Sequence, residues 1–276
     1  MFKSKPILVL FILMVSLTVN AQYTDQINSN RPGESMSAFS VGKTVIQVES
    51  GAYGIAQKHH LLNYVANGYG VDLTIRYGLF KEKLEFLADI QYQDQLYESR
   101  FIKQQQSALR QSSFGAKYLL YDPFKSVETK INVYSWKVDK SFKWKQLIPA
   151  VSVFAGANIT SANNPYHFSP NAGISPKVIL ITQNHFGDGS WVLVTNTIAD
   201  YIGTEFPSYG YVVTLTKGLN EKWSGFVENQ GYISDFYSDT IARAGLAYLI
   251  SDDFQIDASA SGSIKNIAEK NGINLK

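Results

Sequence analysis

The sequence predicts an all-β fold, a transmembrane antiparallel up-and-down β-barrel of about 12 strands whose last strand is atypical or incomplete. Three observations predict it. Apolar and polar residues alternate with a period of two through much of the chain, the pattern of strands whose successive side chains point to opposite faces. Helical i, i+3, i+4 spacing is scarce, and no apolar run after Gln22 is long enough for a membrane helix. The N-terminus carries an export signal.

That signal spans Met1 to Ala21, MFKSKPILVLFILMVSLTVNA. Lys3 and Lys5 form a basic start, Pro6 to Val19 an apolar core, and Val19-Asn20-Ala21 a small-residue cleavage site. The apolar core falls short of the roughly 20 residues that span a bilayer as a helix, which argues against a membrane anchor. Without Lys3 and Lys5 the 25 Lys and Arg fall to 23, equal to the 23 Asp and Glu. The exported chain is formally neutral, so no basic excess points to nucleic acid. Cysteine is absent, which excludes a disulfide-stapled module and a thiolate metal site. No Pro/Ser-rich linker divides the remainder, so the expected organisation is a signal at 1–21, an N-terminal periplasmic segment at 22–43 and one barrel at 44–276.

The N-terminal segment contains INSNRPGESMS, Ile27 to Ser37, with Arg31, Pro32, Gly33 and Glu34 in one tight turn. At the periplasmic mouth of a barrel, Arg31, Pro32 and Gly33 would serve as a rim or plug element. Arg31 can reach an interior carboxylate.

The alternation then fixes the strands. In FQIDASASGSI, Phe254, Ile256, Ala258, Ala260, Gly262 and Ile264 oppose Gln255, Asp257, Ser259, Ser261 and Ser263. In VDLTIRYGL, Val71, Leu73, Ile75, Tyr77 and Leu79 oppose Asp72, Thr74, Arg76 and Gly78. LEFLADIQY and ARAGLAYLI repeat the pattern. Eleven strands are expected near 44–55, 70–79, 84–97, 111–121, 147–159, 173–186, 190–201, 209–218, 223–232, 240–250 and 254–264. Most reach the roughly 9–11 residues that a tilted strand needs to cross a bilayer. Connections at 80–83, 187–189, 219–222 and 251–253 are tight, whereas 56–69, 98–110, 160–172, 202–208 and 233–239 are longer. Short turns at one end and long loops at the other mark an outer-membrane barrel.

A soluble β-sandwich also alternates, but its outward face is polar. Here the polar faces are rich in Gly, Ser, Ala, Asp and Arg, which suits a narrow wet interior. Aromatic residues near strand ends, among the 17 Tyr and 16 Phe, suit interfacial girdles. Two stretches fit less well. Residues 122–146 fall where strand parity calls for a short turn, and are expected as a protruding hairpin or a surface-bound amphipathic piece. A twelfth strand must come from Lys265 to Lys276, a polar tail without a terminal aromatic, so the last strand is atypical or the chain is truncated.

Interior charge supplies the candidate site. Pairing across the 80–83 turn sets Gly78 opposite Glu85 and Thr74 opposite Asp89, with Arg76 diagonally between two carboxylates. Pairing across 251–253, with Ile250 opposite Phe254, sets Asp257 opposite Ala247 and Arg243 near Ser261. The pore-lining candidates are therefore Arg76, Glu85, Asp89, Asp72, Glu49, Arg243 and Asp257, with Lys117 and Glu228 as further members. Such a cluster either selects solutes by charge or forms a structural ion-pair network that fills the barrel. For the strands around Gly187 to Gly189 both faces are mixed and neither is assigned inward.

No catalytic residue, metal or cofactor is expected, and the chain reads as a non-enzyme. HFGDGS places His185 and Ser190 across a turn whose Gly and Asp suffice to explain it. Lys58 to His60, KHH, lacks the spaced partners of a metal site. No phosphate-binding glycine motif is present.

NRPG, VGKTVIQVESG, TIRYGL, GAKYLLYDP, LIPAVSVFAGANI, GFVENQGYISD and ARAGLAYLISDDFQIDASASGSI, taken in order, resemble the outer-membrane transporter family labelled for the MetA pathway of phenol degradation, a Bacteroidetes-type barrel. The resemblance runs from about Asn30 to Ile264 and departs at the C-terminus, where family members close with an aromatic-ended strand. It implies a channel or transporter in the bacterial outer membrane for small, aromatic or apolar molecules. The expected partners are outer-membrane lipids, the small-molecule solute, and the export and barrel-assembly machinery. The alternatives are a non-transporting outer-membrane scaffold or surface binding protein and, third, an outer-membrane hydrolase using Ser190.

Overall fold

A computed structural model describes residues 29–59, 63–124, 144–166, 173–187, 189–234, 238–264 and 271–272. They form one 12-stranded sheet in sequence order. Its strands are β1 (Ile46–His59), β2 (Tyr64–Gly78), β3 (Leu84–Ser99), β4 (Lys103–Tyr121), β5 (Ala150–Thr160), β6 (Gly173–Phe186), β7 (Trp191–Asp200), β8 (Ser208–Gly218), β9 (Trp223–Ile233), β10 (Ser238–Ser251), β11 (Phe254–Ser263) and β12 (Asn271–Gly272). A one-turn 3-10 helix, Trp144–Leu147, precedes β5. The signal at 1–21, His60 and residues 125–143 of the expected 122–146 piece lie outside the described residues.

Every strand pairs antiparallel with its sequence neighbour, which gives the up-and-down order. The sheet curls until its ends meet: Asn271 and Gly272 of β12 pair with Gly262 and Ser261 of β11, and β12 lies beside β1. Among the described residues the twelfth strand is Asn271–Gly272, within the polar tail. Outside, the faces are apolar; on β11, Phe254 and Ile256 are 56% and 50% exposed. Inside they are polar, and Arg76, Glu85 and Lys117 have no exposed surface.

The expected registers hold where they matter for the interior. Gly78 stands opposite Glu85 and Thr74 opposite Asp89. Ala247 stands opposite Asp257 and Arg243 opposite Ser261. One detail changes: Ser251, not Ile250, pairs with Phe254, because the ladder shifts between Leu249 and Ser251.

Strand limits change more. β1 runs on to His59, β2 begins at Tyr64 and β4 begins at Lys103, so the connections expected at 56–69 and 98–110 shrink to 60–63 and 100–102. The pattern fades there for a physical reason. On the far half of β1 the outward residues are Ala52, Gly54 and Ala56, while the larger Tyr53 and Ile55 line the lumen. The contrast between long and short connections is correspondingly weaker than expected, and the longest, 122–149, opens at the end from which β1 starts.

The strands left unassigned from sequence, β6 and β7, point Ile179, Ile181, Val194 and Ile198 inward and Val178 and Leu180 outward. Both faces are apolar because the inner one packs on a hydrophobic cluster inside the barrel. That cluster joins Leu87, Phe154 and Val212 to Ala38, with Met36 and Phe39 against it. Its members on 36–39 come from the N-terminal segment, not from the wall.

Candidate functional site

Residues 30–41 do not rest on the rim. They wind round the inside of the barrel, and nearly every step is hydrogen-bonded to a different strand. Arg31 meets β2 and β11. The Glu34 amide donates to Glu228 of β9 at 2.9 Å, and Met36 exchanges two hydrogen bonds with Asn196 of β7, at 2.6 and 2.9 Å. Gln183 of β6 accepts from the Ser37 hydroxyl and the Ala38 amide, both at 3.0 Å. Ser152 of β5 donates to the Ala38 carbonyl at 2.6 Å. The segment then leaves through Thr44, whose amide donates to the Gly78 carbonyl at the start of the wall.

Such a path is required by the segment's own chemistry. An irregular chain inside a barrel has no ladder for its backbone groups, and each buried group left unpaired costs about 1–3 kcal/mol. The inward Asn, Gln, Ser and Lys side chains supply those partners.

The far end of the segment rests on a buried charge network. Glu85 accepts from Arg76 Nε at 3.1 Å and from Lys117 Nζ at 2.9 Å. Arg76 Nη1 reaches Glu49 at 3.2 Å. Lys117 also donates to the carbonyls of Ser37 and Phe39, at 2.7 and 2.9 Å, and Glu85 accepts from the Val41 amide at 2.7 Å. The network therefore grips the segment's backbone as well as itself.

At the near end Arg31 is a staple. Its Nη1 donates to Asp72 of β2 at 3.1 Å, and its Nε and Nη2 donate to Asp257 of β11 at 3.2 and 3.3 Å. Between those strands lie β1 and the two-residue β12, so one side chain ties together the two ends of the sheet. The Arg31–Pro32 peptide is cis. Close approach is made possible by Gly51 of β1, where an added Cβ would lie 2.7 Å from Asp72 Oδ1 and would collide with the Arg31 guanidinium. Gly51→Val is expected to dislodge Arg31 and lower the unfolding free energy by about 1–3 kcal/mol. Gly218→Ala, whose added Cβ finds its nearest neighbour at 3.8 Å, should leave it unchanged. A urea titration followed by tryptophan fluorescence checks both.

Above the segment lies a cavity of about 430 Å³, within the range of about 300–1,000 Å³ typical of small-molecule sites. Residues Arg31 and Gly33 to Met36 line it from the segment, and strands of the wall supply the rest. Phe154, Ile179, Ile198 and Tyr232 contribute apolar lining, and Asp72, Asp89, Gln230 and Arg243 contribute polar lining. Tyr166, from the connection after β5, reaches into it and donates to the backbone carbonyls of Gln106 and Gln93, at 2.8 and 3.2 Å. Burial, with Asp94 nearby, pushes the Tyr166 phenol up to about 12, so it stays a neutral donor.

The candidate residues separate accordingly. Asp72, Asp89, Glu49 and Arg243 border the cavity, and Asp257 holds Arg31. Arg76 and Glu85 do not border it; they are sealed beneath Phe39 and Val41. Arg76 pairs with Glu85 and Glu49 rather than with Asp89, which instead accepts from Thr74 at 3.2 Å and Gln111 at 2.8 Å. Arg76 stands opposite Leu87 in the ladder, and its side chain bridges Glu85 of β3, through Nε and Nη2, and Glu49 of β1, through Nη1. Pro32 and Gly33 lie in the lumen, and a Cβ on Gly33 would press on Glu228 Oε2 at 2.5 Å. His185 faces inward too, stacked edge-on against Phe39 with centroids 5.8 Å apart, and at 2.9 Å from Gln183. Gln183, Asn196 and Ser152 escape sequence reading because single neutral side chains carry no charge or spacing signal.

No match to the chain is found among curated proteins. A family does match, over residues 29–276, a span that takes in the lumenal segment and every strand of the sheet. With the up-and-down barrel and its occupied interior in place, that match establishes that the chain belongs to the family described as "Putative MetA-pathway of phenol degradation".

Proposed function

We propose that the protein is an outer-membrane channel for small molecules with apolar or aromatic bodies, its lumen narrowed at rest by residues 30–41. The observation that carries the proposal is the inversion of the side chains. Ile46, Val48, Ile75, Phe86, Leu180, Val227, Leu246 and Phe254 are exposed on the outside, far more contiguous apolar surface than a soluble monomer presents. In a bilayer that surface is at no disadvantage, and the strand ladders satisfy the backbone without water. β1 to β11 have 10 to 19 residues, enough to cross a bilayer at roughly 9–11 residues each. In this reading the chain is exported by its cleaved signal, inserted by the barrel-assembly machinery, and does no chemistry of its own.

The mixed apolar and polar lining of the cavity supports passage of a solute with an apolar body and a polar end. The family description makes phenol the first solute to test. Phenol should enter liposomes bearing the purified protein severalfold faster than protein-free liposomes. Equal entry would remove the channel reading. It would favour a non-transporting scaffold, a second reading that draws on how thoroughly residues 30–41 are bonded to the wall.

A further inference from the structure

On the β9–β10 side of the cavity, two buried polar atoms have no hydrogen-bond partner: the side-chain carbonyl oxygen of Gln230 and the Nε–H of Arg243. Both residues border the cavity and both are 7% exposed. Gln230 stands opposite Ile241 and Arg243 opposite Glu228, so the two side chains are diagonal neighbours on one inner face, a spacing that long side chains bridge. An unsatisfied acceptor and an unsatisfied donor on diagonal neighbours complement a hydroxyl, which donates one hydrogen bond and accepts another.

Three cations at the site already have carboxylate partners. Arg243 Nη1 is paired with Glu228 and Nη2 with Glu34 at 3.3 Å; Arg31 is paired with Asp72 and Asp257, and Lys177 with Asp200 at 3.6 Å. An anionic solute would leave water for a lumen in which these cations are taken. Phe154, Ile179 and Ile198, on β5 to β7, add apolar surface to the same cavity.

We infer that Gln230 and Arg243 form a hydroxyl-reading subsite for a neutral solute with an apolar body. The solute O–H donates to Gln230 Oε1, and its oxygen accepts from Arg243 Nε–H. The inference rests on the channel reading for its biological meaning, and its test is separable from that reading.

Ligand-observed NMR on the full-length protein in detergent, corrected against empty micelles, compares cyclohexanol with the near-isosteric methylcyclohexane and with cyclohexylammonium. Cyclohexanol should bind wild type at least about tenfold tighter than either, because a site with buried unpaired polar atoms rejects a ligand that cannot satisfy them. Gln230→Leu should weaken cyclohexanol by about tenfold without weakening methylcyclohexane. Equal affinity of cyclohexanol and methylcyclohexane for wild type overturns the inference and requires no variant, so a Gln230→Leu barrel that fails to fold does not protect it. Cyclohexylammonium binding as tightly as cyclohexanol overturns it as well. Discrimination that depends on Gln230 without solute flux into liposomes would leave the subsite standing and remove the channel; flux without discrimination would do the reverse.

Discussion

Deleting Asn30 to Ser37 should raise the conductance of the reconstituted barrel severalfold while leaving the barrel folded. The deletion removes the segment's share of the cavity lining and the Arg31 staple, but retains the Phe39 carbonyl and the Val41 amide, which bond Arg76 and Glu85. Asn196 and Glu228 lose their bonds to the segment, and Gln183 loses the Ser37 hydroxyl but keeps the Ala38 amide; facing a water-filled lumen they would be hydrated, so each lost bond costs its net value of about 0.5–1.5 kcal/mol, not a desolvation penalty. Apolar Ile179, Ile198 and Val212 would be wetted, and this is the main expense of opening. Planar-bilayer recordings beside a circular dichroism spectrum decide the matter. A folded deletion variant that conducts no better than wild type would mean that residues 30–37 are not the obstruction.

Much of the fold was legible because a barrel wall repeats one physical constraint. Each strand must show lipid one face and the lumen the other, and a period of two writes that directly into the chain. Register followed from turns: once 80–83 was a tight connection, Thr74 had to meet Asp89. Legibility failed where the constraint lapsed. The far end of β1 shows Ala52, Gly54 and Ala56 outward, a stripe with little apolar bulk, and on β2 Asn67 interrupts Val65, Tyr69 and Val71. β6 and β7 are apolar on both faces because the lumenal segment brings Met36, Ala38 and Phe39 to the inner one.

The site was legible in part, and the division is instructive. Interior carboxylates and guanidinium groups could be assigned to the inward face from alternation alone, and Arg31 could be expected to reach one of them. Choice of partner could not. Sequence places Arg76 equally near Glu85 and Asp89 on β3, whereas β1 delivers Glu49 through a pairing that no short turn fixed, since residues 60–63 lie within a stretch that resembled a long loop. Nor does alternation reveal that an irregular segment fills the lumen. That follows only when Gln183, Asn196, Ser152 and Lys117, from four strands, all find backbone partners within 36–39.

Glu85→Ala should be the most destabilising single change in the wall. Glu85 has no exposed surface and accepts from Arg76, Lys117 and the Val41 amide. Its loss leaves Lys117 buried among backbone carbonyls without its 2.9 Å ion pair, and leaves Arg76 with Glu49 and the Phe39 carbonyl. Removing one partner of a buried ion pair costs about 3–5 kcal/mol, because the remaining charge cannot return to water. Lys117→Met should cost less, about 1–3 kcal/mol: Glu85 keeps Arg76, and the principal loss is the donor to the Ser37 and Phe39 carbonyls. Glu34→Ala breaks the pair with Arg243, in which the Glu34 side chain is 27% exposed, and should cost no more than about 1 kcal/mol. The urea midpoints of the lipid-folded barrel should therefore fall in the order Glu34→Ala, Lys117→Met, Glu85→Ala, with unchanged slopes. Should Glu85→Ala unfold no more readily than Glu34→Ala, the buried network would not be what holds the segment. If the order is obeyed, Glu85→Ala should also conduct better than wild type, since the group it removes grips the segment and the wall at once.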